Sequence, residues 1–542
     1  MPVPVPAVQS AVDATELSIA EWRRRSRETA PPTGSGPRSR VPRWLVLASA
    51  ALCALAAALS VAYVFARAPW WDEGLYADVA RQFALHGTLG SPLAGPSGDF
   101  GFAEIPRMNE RTYWTTPLYP VVLGLWFSVF GEGLVPMRLL SVACTVVLVG
   151  AWGSVVRRLT GNAVAAVLAA ALIACNAHVL WGASMGRPEP LATALAVGGA
   201  ALYLRWRQAH LTRAVCVAAA LVGLGMLAHP LALVPGLGLA AVAVALDGRR
   251  LRWHHVATAV AVGALVLSPW ALYIAQDPET FRAQWAANGQ TRTGSRDAGL
   301  RNPLGALLSD FGERYLRHNF TDVKGFGRVL GVELAAVVAC WVAGLGLALA
   351  SPAFRARRGV RLLALFAGVA WGALAVLDAS RYRQYFLHVY PALVAVAALV
   401  VWELARRGGA ARWAAGALAA VMIVPGLGGV ANRIVVNPYR TSFLPAAAVA
   451  QGYQARGGRV AAGSEFAFAL GFDSALRDDM DMRTPADVYV QGEFFEYFTQ
   501  GRPVRAVLAR DYRPVFRNDR YTVYARRTQS SAGTPAPAAP GS

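Results

Sequence analysis

The sequence predicts an α-helical polytopic membrane protein with a small C-terminal α/β domain. The chain is 55% hydrophobic with a mean hydropathy of +0.37. Charged residues make up 15% of it, against about 25% in soluble domains. Apolar runs long enough to cross a bilayer recur from residue 44 to about residue 431. A soluble helical solenoid is the alternative, but it would need polar helix faces, which most of these runs lack.

The formal net charge is +20, from 52 basic and 32 acidic residues. In a soluble protein so basic a composition would suggest nucleic-acid binding. Here most basic residues lie in short connections between apolar runs, and this distribution is the one that sets membrane topology. The sequence therefore predicts membrane lipids as the surroundings of the apolar runs and no nucleic-acid partner.

The first 42 residues are polar, rich in Pro and Ser, and basic towards their end. This composition predicts a disordered arm. Because positive charge flanks the first apolar run, we expect the arm and the N-terminus in the cytoplasm of a multi-pass plasma-membrane protein. Residues 67–134 then form the first outer loop.

A transmembrane domain is predicted at residues 43–434. Residues 117–130 are too short to span, and a crossing there would place five later basic connections outside. We therefore expect residues 76–86 and 117–130 to be juxtamembrane helices of the first outer loop. About eleven crossings remain, near 44–66, 135–156, 162–182, 189–205, 213–229, 231–247, 256–275, 329–350, 360–378, 384–404 and 411–431.

Beyond the last crossing the composition becomes that of a soluble domain. We predict an extracytoplasmic α/β domain at residues 435–527, because short strand-like runs alternate with polar stretches. The strand-like runs lie at 459–462, 488–490, 505–508 and 521–524. Residues 528–542 are rich in Ser, Ala and Pro, and they predict a disordered tail.

Two adjacent acids, Asp72 and Glu73, follow Trp70-Trp71 directly after the first crossing. Tryptophan favours the membrane interface, so these carboxylates are expected at the depth of lipid headgroups. Taken alone, the pair would indicate only solvated acids. The predicted topology, however, places four further connections with ionisable residues on the same outer side, at 184–189, 229–230, 276–328 and 380–383. The sequence therefore predicts an active site at the outer face.

A spaced set of residues surrounds the acid pair. After Trp71-Asp72-Glu73 come Tyr76-Ala77-Asp78-Val79-Ala80, Gly87, a Thr-Pro-Leu helix start at 116–118, Gly131 and Arg138. This set resembles the first half of the GT-C glycosyltransferases, most of all the protein O-mannosyltransferases (glycosyltransferase family 39) and the aminoarabinose transferase of lipid A. The resemblance covers roughly residues 44 to 431.

The resemblance implies a GT-C fold and an inverting hexosyl or pentosyl transfer. The donor would be a polyprenyl-phosphate-linked sugar, and the acceptor an extracytoplasmic glycan, lipid or protein. Asp72 would be the general base that takes the proton of the acceptor hydroxyl. Glu73 would orient the acceptor or support Asp72, and Tyr76 would lie one helical turn further on the same side. Glu189 matches an acidic position of the lipid A enzyme, although a helix N-terminal carboxylate would equally favour the dipole there.

Donor-phosphate contacts are implied at Arg381, Arg383 and Tyr385, because charge that develops on a leaving phosphate needs stabilisation. Interfacial snorkelling is the alternative for these arginines. Arg138 would contact the phosphate or pair with Asp72 or Glu73. Arg292 and His229 are further candidates, and a satisfied core histidine is the alternative for His229.

One position departs from the resemblance, since Thr115 and Thr116 stand where relatives often have a basic residue or His before the proline. One expected phosphate contact is therefore missing. No cluster of recognised ligand spacing predicts a metal, so participation of a divalent ion is left open.

Two other function classes compete with an enzyme. A transporter or flippase of lipid-linked sugars would place charges near the bilayer midplane and show paired halves, which this sequence does not. A scaffold that displays the C-terminal domain would need far fewer crossings. The sugar, the acceptor, the carrier length and the oligomeric state do not follow from the sequence.

Overall fold

The computed structural model describes residues 42–94, 99–100, 103–290, 301–317, 327–350, 358–378, 381–473, 476–478, 482, 485–492 and 504–527. The chain divides into two units, Met1–Leu47 and Ala48–Ser542. All side chains discussed below belong to the second unit. The predicted arm, apart from residue 42, and the predicted tail lie outside the described residues.

Helices make up most of the described chain. In order they are α1 (Arg43–Val64), α2 (Trp71–His86), α3 (Leu118–Phe130), α4 (Leu134–Thr160), α5 (Ala163–Ala174), α6 (Ala177–Ala183), α7 (Pro188–Trp206), α8 (Leu211–Ala228), α9 (Leu233–Asp247), α10 (Trp253–Gln276), α11 (Pro278–Gln290), α12 (Pro303–Asp310), α13 (Gly327–Ala350), α14 (Arg358–Leu377), α15 (Tyr390–Arg407), α16 (Gly409–Val436), α17 (Leu444–Gln454), α18 (Ala467–Leu470) and α19 (Val504–Asp511). Short 3-10 or π segments lie at Pro92–Ala94, Pro230–Ala232, Phe311–Arg317, Arg383–His388, Tyr439–Phe443 and Ser464–Phe466.

Seven of the described helices are long and apolar enough to cross a membrane. They are α1, α4, α8, Pro230–Asp247 around α9, α10, α14, and the stretch Gly409–Gln454 that begins with α16. An eighth span results if α5 and α6, which meet at a bend of 61°, count as one. Helices α7, α13 and α15 occupy the three remaining predicted positions. Each of the eleven predicted crossings is therefore helical, and the polytopic helical fold class is confirmed.

Helix α15 lies at the centre of the bundle. Its residues 390–401 are all buried, and it packs against α5, α13, α14 and α16. Such all-round burial accounts for an apolar run with no polar face. Charged residues enter this helix only in its last turns, where Arg406 and Arg407 lie.

Connections between the helices gather at two ends of the bundle. At one end, Arg207 pairs with Asp247 and Arg358 donates to the Ala245 carbonyl over 3.2 Å. At the other end, Arg67 donates to the Trp181 carbonyl over 3.2 Å. Each of these contacts joins connections that the predicted topology places on the same side, and the acid pair belongs to the second end.

Helix α2 begins five residues before the predicted juxtamembrane helix. Its first half, through Ala80, is mostly buried, because it packs on α3 and on the segment Ser464–Phe466 of the C-terminal region. Only its last turns are exposed. The acid pair thus lies at the start of a helix whose first half is packed within the protein.

The C-terminal region contains a four-stranded sheet in the order β3-β4-β6-β5. The strands are β3 (Val460–Ala461), β4 (Val488–Gly492), β5 (Tyr512–Arg517) and β6 (Tyr521–Arg526). A two-stranded ribbon, β1 (Asp99–Phe100) with β2 (Ala103–Glu104), precedes it in the chain. Strands β3 and β4 are parallel, and the other pairs of the larger sheet are antiparallel.

Three of the four predicted strands are confirmed, and the strand predicted at 505–508 is wrong. That stretch lies within α19. Val504 and Leu508 are buried and Arg505 is exposed. Burial of every fourth residue is typical of a helix. In so short an apolar run, the sequence does not distinguish a helix from a strand.

Candidate active site

Asp72 and Glu73 lie in the first turn of α2, where carboxylates interact favourably with the helix dipole. Successive helical residues point about 100° apart, so the two side chains face different surroundings. The Asp72 side chain keeps 14% of its surface exposed, whereas that of Glu73 has none. The two adjacent acids therefore have different parts in the site.

The Glu73 carboxylate is fully engaged. Oε1 accepts from Arg138 Nε over 2.7 Å and from the Gly186 N–H over 2.6 Å. Oε2 accepts from Arg138 Nη2 over 2.7 Å and from the Trp70 N–H over 2.6 Å, the second being half of a capping box. Burial alone would raise the pKa of Glu73, but the Arg138 charge and these hydrogen bonds hold it below its ordinary value.

Arg138 of α4 is buried and uses all five of its N–H groups. Besides Glu73, it donates to the carbonyls of Val64 at 3.0 Å, Arg67 at 2.8 Å and Ala68 at 3.1 Å. Of its predicted partners the structure supports Glu73, and it leaves no N–H of Arg138 for a phosphate. Arg138 and Glu73 thus join the end of α1, the start of α2 and α4.

Arg187 links Asp72 to Glu189. Its Nη1 pairs with Asp72 Oδ2. Its Nε lies 3.1 Å from both Glu189 oxygens, and its Nη2 donates to Glu189 Oε1 over 2.8 Å. The Arg187 side chain has only 4% of its surface exposed, so one cation contacts two carboxylates in a largely desolvated place. Sequence reasoning missed Arg187, although its position before the Pro-Glu-Pro that starts α7 was a signal.

Tyr76 lies on the same side of α2 as Asp72, because both approach Arg187. The Arg187 guanidinium carbon is 5.8 Å from the centre of the Tyr76 ring. That ring stacks on Trp114 at 5.3 Å and meets Tyr119 edge-on at 5.5 Å. Tyr76 therefore forms an aromatic wall beside the carboxylate–arginine cluster.

A line of polar side chains continues from Glu189. One turn further along α7, Thr193 Oγ1 lies 3.0 Å from His388 Nδ1. The His388 ring stacks on that of His229 at 5.4 Å, and His229 lies 5.1 Å from the ring of Tyr385. His229, His388 and Tyr385 thus form a cluster of rings that meets α7 at Thr193, one turn beyond Glu189. His388 and Thr193 were not predicted from the sequence.

The two predicted arginines of the last connection separate. Arg383 is buried, with its guanidinium carbon 4.8 Å from the centre of the Trp181 ring. Arg67 approaches the same ring at 4.7 Å. Arg381 instead forms an ion pair with Glu313 at 2.9 Å and donates a hydrogen bond to the Ser309 hydroxyl over 2.5 Å. Among the described contacts, Arg383 is therefore tied to the segment that leads to Arg187, whereas Arg381 is held by α12 and the following π turn.

Arg314, which sequence reasoning also missed, anchors this connection. It is buried, pairs with Asp310 at 2.7 Å and Asp378 at 2.8 Å, and donates to the Tyr382 carbonyl over 2.9 Å. Arg292 lies outside the described residues. Within the described ranges, no group of three or more His, Cys, Asp or Glu side chains is placed to hold a metal ion.

Comparison with known proteins adds one family and two solved structures. Residues 115–273 match the family model described as dolichyl-phosphate-mannose-protein mannosyltransferase. The crystal structure of ArnT from Cupriavidus metallidurans bound to undecaprenyl phosphate superposes with a TM-score of 0.56 at 16% identity, covering 91% of this chain and 99% of that chain. Its apo state gives 0.54 at 16% identity, covering 89% and 97%. The sequence matches no curated protein significantly.

Proposed function

We propose that this chain, which has the fold of the GT-C glycosyltransferases, transfers a sugar from a polyprenyl-phosphate-linked donor to an extracytoplasmic acceptor. The family model over residues 115–273 supports the reaction class. The similar ArnT structure contains undecaprenyl phosphate, and this supports a polyprenyl phosphate as the carrier here. The acceptor is a cell-envelope glycan, lipid or protein.

The proposal depends most on the partial exposure of the Asp72 carboxylate. Glu73 has no exposed surface and all its acceptor positions are taken. Asp72 keeps 14% of its side-chain surface exposed, and among the described contacts only its Oδ2 is engaged, by Arg187. A general base must come within hydrogen-bond reach of the proton that it removes. The exposed part of Asp72 allows such an approach and Glu73 does not, so we assign Asp72 as the base and Glu73 as its support.

The proposed reaction is a single inverting displacement. Asp72 accepts the proton of the acceptor hydroxyl, whose oxygen bonds to the anomeric carbon from the side opposite the phosphate. The bond from that carbon to the phosphate oxygen breaks, and the electron pair leaves with the polyprenyl phosphate. Because negative charge grows on this phosphate, a nearby cation accelerates the step.

Three groups from the connections at the same end of the bundle as Asp72 suit the donor phosphate. Arg383 provides a buried cation near the turn that carries Arg187. Tyr385 and His229, in mutual contact, provide a hydroxyl and a ring nitrogen. Glu189 keeps Arg187 oriented towards Asp72, and Tyr76 walls the cluster. Arg381 is a weaker candidate for the donor phosphate than Arg383, because its described contacts are with Glu313 and Ser309.

The proposed topology follows from the two ends of the bundle. The end with the short basic connections faces the cytoplasm together with the N-terminus, and the end with Asp72 faces outward across the plasma membrane. Residues 43–434 form the catalytic membrane domain, and residues 435–527 form an outer domain above it. A lipid-borne donor then meets Asp72 at the depth of its own headgroup.

Donor consumption tests the proposal. Purified protein in detergent is given a panel of radiolabelled undecaprenyl- and decaprenyl-phosphoryl sugars with an extract of cell-envelope acceptors. We expect loss of label from one donor and a product whose anomeric configuration is inverted relative to that donor. The competing transporter would leave every donor intact and move labelled lipid across liposomes that contain the protein; that result would refute the transferase.

A further inference from the structure

The C-terminal region grips the turn of α2 that carries Asp72. The Trp71 indole N–H donates to Asp478 Oδ2 over 2.7 Å, and the Ser464 hydroxyl donates to the Trp71 carbonyl over 2.7 Å. Both hydrogen bonds are buried. Trp71 and Asp478 are separated by 407 positions in the sequence, so this contact joins distant parts of the chain next to the proposed base.

Asp478 also closes a second connection to α2. Its Oδ2 accepts the Ser464 N–H over 3.2 Å, and its own N–H donates to the Leu93 carbonyl over 3.1 Å. The Leu93 N–H in turn donates to Asp78 Oδ2 over 3.1 Å. Asp78 lies two turns after Trp71 in α2, so one buried residue of the C-terminal region holds the helix at two points.

The two backbones touch where Gly74 faces Ser464. A Cβ on Gly74 would lie 2.1 Å from the Ser464 carbonyl oxygen and 2.2 Å from its carbon. No side chain fits in that space, so glycine is required for this close approach. These contacts of Trp71 and Gly74 with Asp478 and Ser464, which we call the clamp, therefore include direct backbone packing as well as side-chain hydrogen bonds.

The helical period determines which faces of α2 are held by these contacts and where Asp72 points. Trp71 and Gly74 lie on one face of α2, because residues three apart are neighbours on a helix surface. Glu73, at about 200° from Trp71, faces the other way, towards Arg138. Asp72 lies between these two anchored faces and points at Arg187. The direction of its carboxylate is thus fixed from both sides.

We propose that Asp478 and Ser464 are positioning residues for Asp72, acting through Trp71. This inference rests on the proposed function, since it assigns the C-terminal region a part in the same reaction. In this proposal Asp478 and Ser464 supply no group to the chemistry. They hold the first turn of α2 in register against the Glu73–Arg138 pair, so that Asp72 reaches the acceptor hydroxyl.

Three variants separate positioning from general stability. Asp478→Ala removes the acceptor of two buried N–H groups, Asp478→Asn keeps an acceptor oxygen, and Trp71→Phe removes only the indole N–H while retaining a ring. The control is Asp487→Ala. Asp487 accepts the Arg459 N–H over 2.8 Å in the same region, and its described contacts do not include α2.

We expect Asp478→Ala and Trp71→Phe to lower kcat about 10- to 100-fold, because small displacements of a catalytic group have effects of this size. The KM for the donor should stay within about twofold, since the proposed donor contacts lie elsewhere, and Asp478→Asn should recover most of kcat. Unchanged kcat in both variants would overturn the inference, as would an equal loss in Asp487→Ala.

Hydrogen exchange tests whether Asp478 holds α2 in place, and it does not require an activity assay. In Asp478→Ala, amides in the first two turns of α2 should exchange faster than in the wild type, while β4 and β6 keep their protection. Equal exchange of α2 in variant and wild type would overturn the inference. If the wild type consumes no donor, the proposed function fails, and exchange in α2 still shows whether the clamp exists.

Discussion

The guanidinium of Arg138 holds the carboxylate of Glu73 through two hydrogen bonds of 2.7 Å each, and neither side chain has exposed surface. The pair joins the transmembrane helix α4 to the first turn of α2. Each charge is compensated by the other and by hydrogen bonds to local backbone groups. The pair is therefore a structural support beneath Asp72.

Removing one member of this pair should destabilise the protein. We expect Glu73→Ala and Arg138→Ala each to lower the free energy of unfolding by about 3–5 kcal/mol, because each leaves a buried charge unpaired. The double variant should lose less than the sum of the two. Thermal unfolding in detergent, followed by tryptophan fluorescence, measures this. Unfolding midpoints of both single variants equal to that of the wild type would contradict the account.

Arg187 should be needed for activity in its arginine form. Arg187→Ala leaves Asp72 and Glu189 without their shared cation, and Arg187→Lys offers a point charge where a planar fork contacts two carboxylates. We expect kcat to fall about 100-fold or more in both variants. Arg107→Ala is the control, since Arg107 is half-exposed and pairs with Glu110 and Asp277. A lysine variant with wild-type kcat would refute the bridging role.

The pH dependence of stability should reveal Glu465. Burial, together with the neighbouring carboxylates of Asp478 and Glu73, raises the pKa of Glu465 from its ordinary value of 4.5 to about 8. As the pH rises between these values, the unfolded state loses the proton that the folded state keeps. Stability should therefore fall with rising pH across this window, by at most about 1.4 kcal/mol per pH unit.

The test compares unfolding midpoints of the wild type and Glu465→Gln between about pH 6 and pH 8. The pKa of Asp78, raised to about 6 by burial, restricts its own contribution to lower pH. The midpoint should fall more steeply with pH in the wild type than in the variant. Parallel slopes for the two proteins would show that Glu465 is not the group responsible.

Gly74→Ala should disrupt the contact between α2 and Ser464. The added Cβ would lie 2.1 Å from the Ser464 carbonyl oxygen, so one backbone must move. We expect a lower unfolding midpoint and a lower kcat together. Gly198→Ala in α7 is the matched control, because its Cβ would meet nothing within 4 Å. Equal behaviour of the two variants would contradict the observed packing.

Much of the fold follows from the sequence because apolar runs and basic connections are local signals. Helices lie at all eleven predicted crossings, and the short run before residue 131 is the short helix α3. The resemblance to GT-C glycosyltransferases is confirmed by the family model and by the fold of ArnT. The prediction of a strand at 505–508 was wrong, because a run of four residues is too short to distinguish the period of a helix from that of a strand.

The site was only partly predictable, because its contacts join distant segments. Asp72 was recognisable as a carboxylate at the outer interface, and Glu189, His229 and Tyr385 followed from the family resemblance. The packing of distant segments decides the partners of the two arginines. Arg187 contacts two carboxylates, and Arg138 donates every N–H to Glu73 and three carbonyls. The Trp71–Asp478 hydrogen bond spans 407 positions, and no local pattern indicates it.

The most direct test of the central claim is the rate of donor consumption by Asp72→Asn beside the wild type. Asparagine keeps the shape of the side chain and cannot accept the hydroxyl proton as a base. We predict that the rate falls by a factor of about 100 to 10,000, while the unfolding midpoint stays near that of the wild type. A correctly folded Asp72→Asn protein that consumes donor at the wild-type rate would contradict the account.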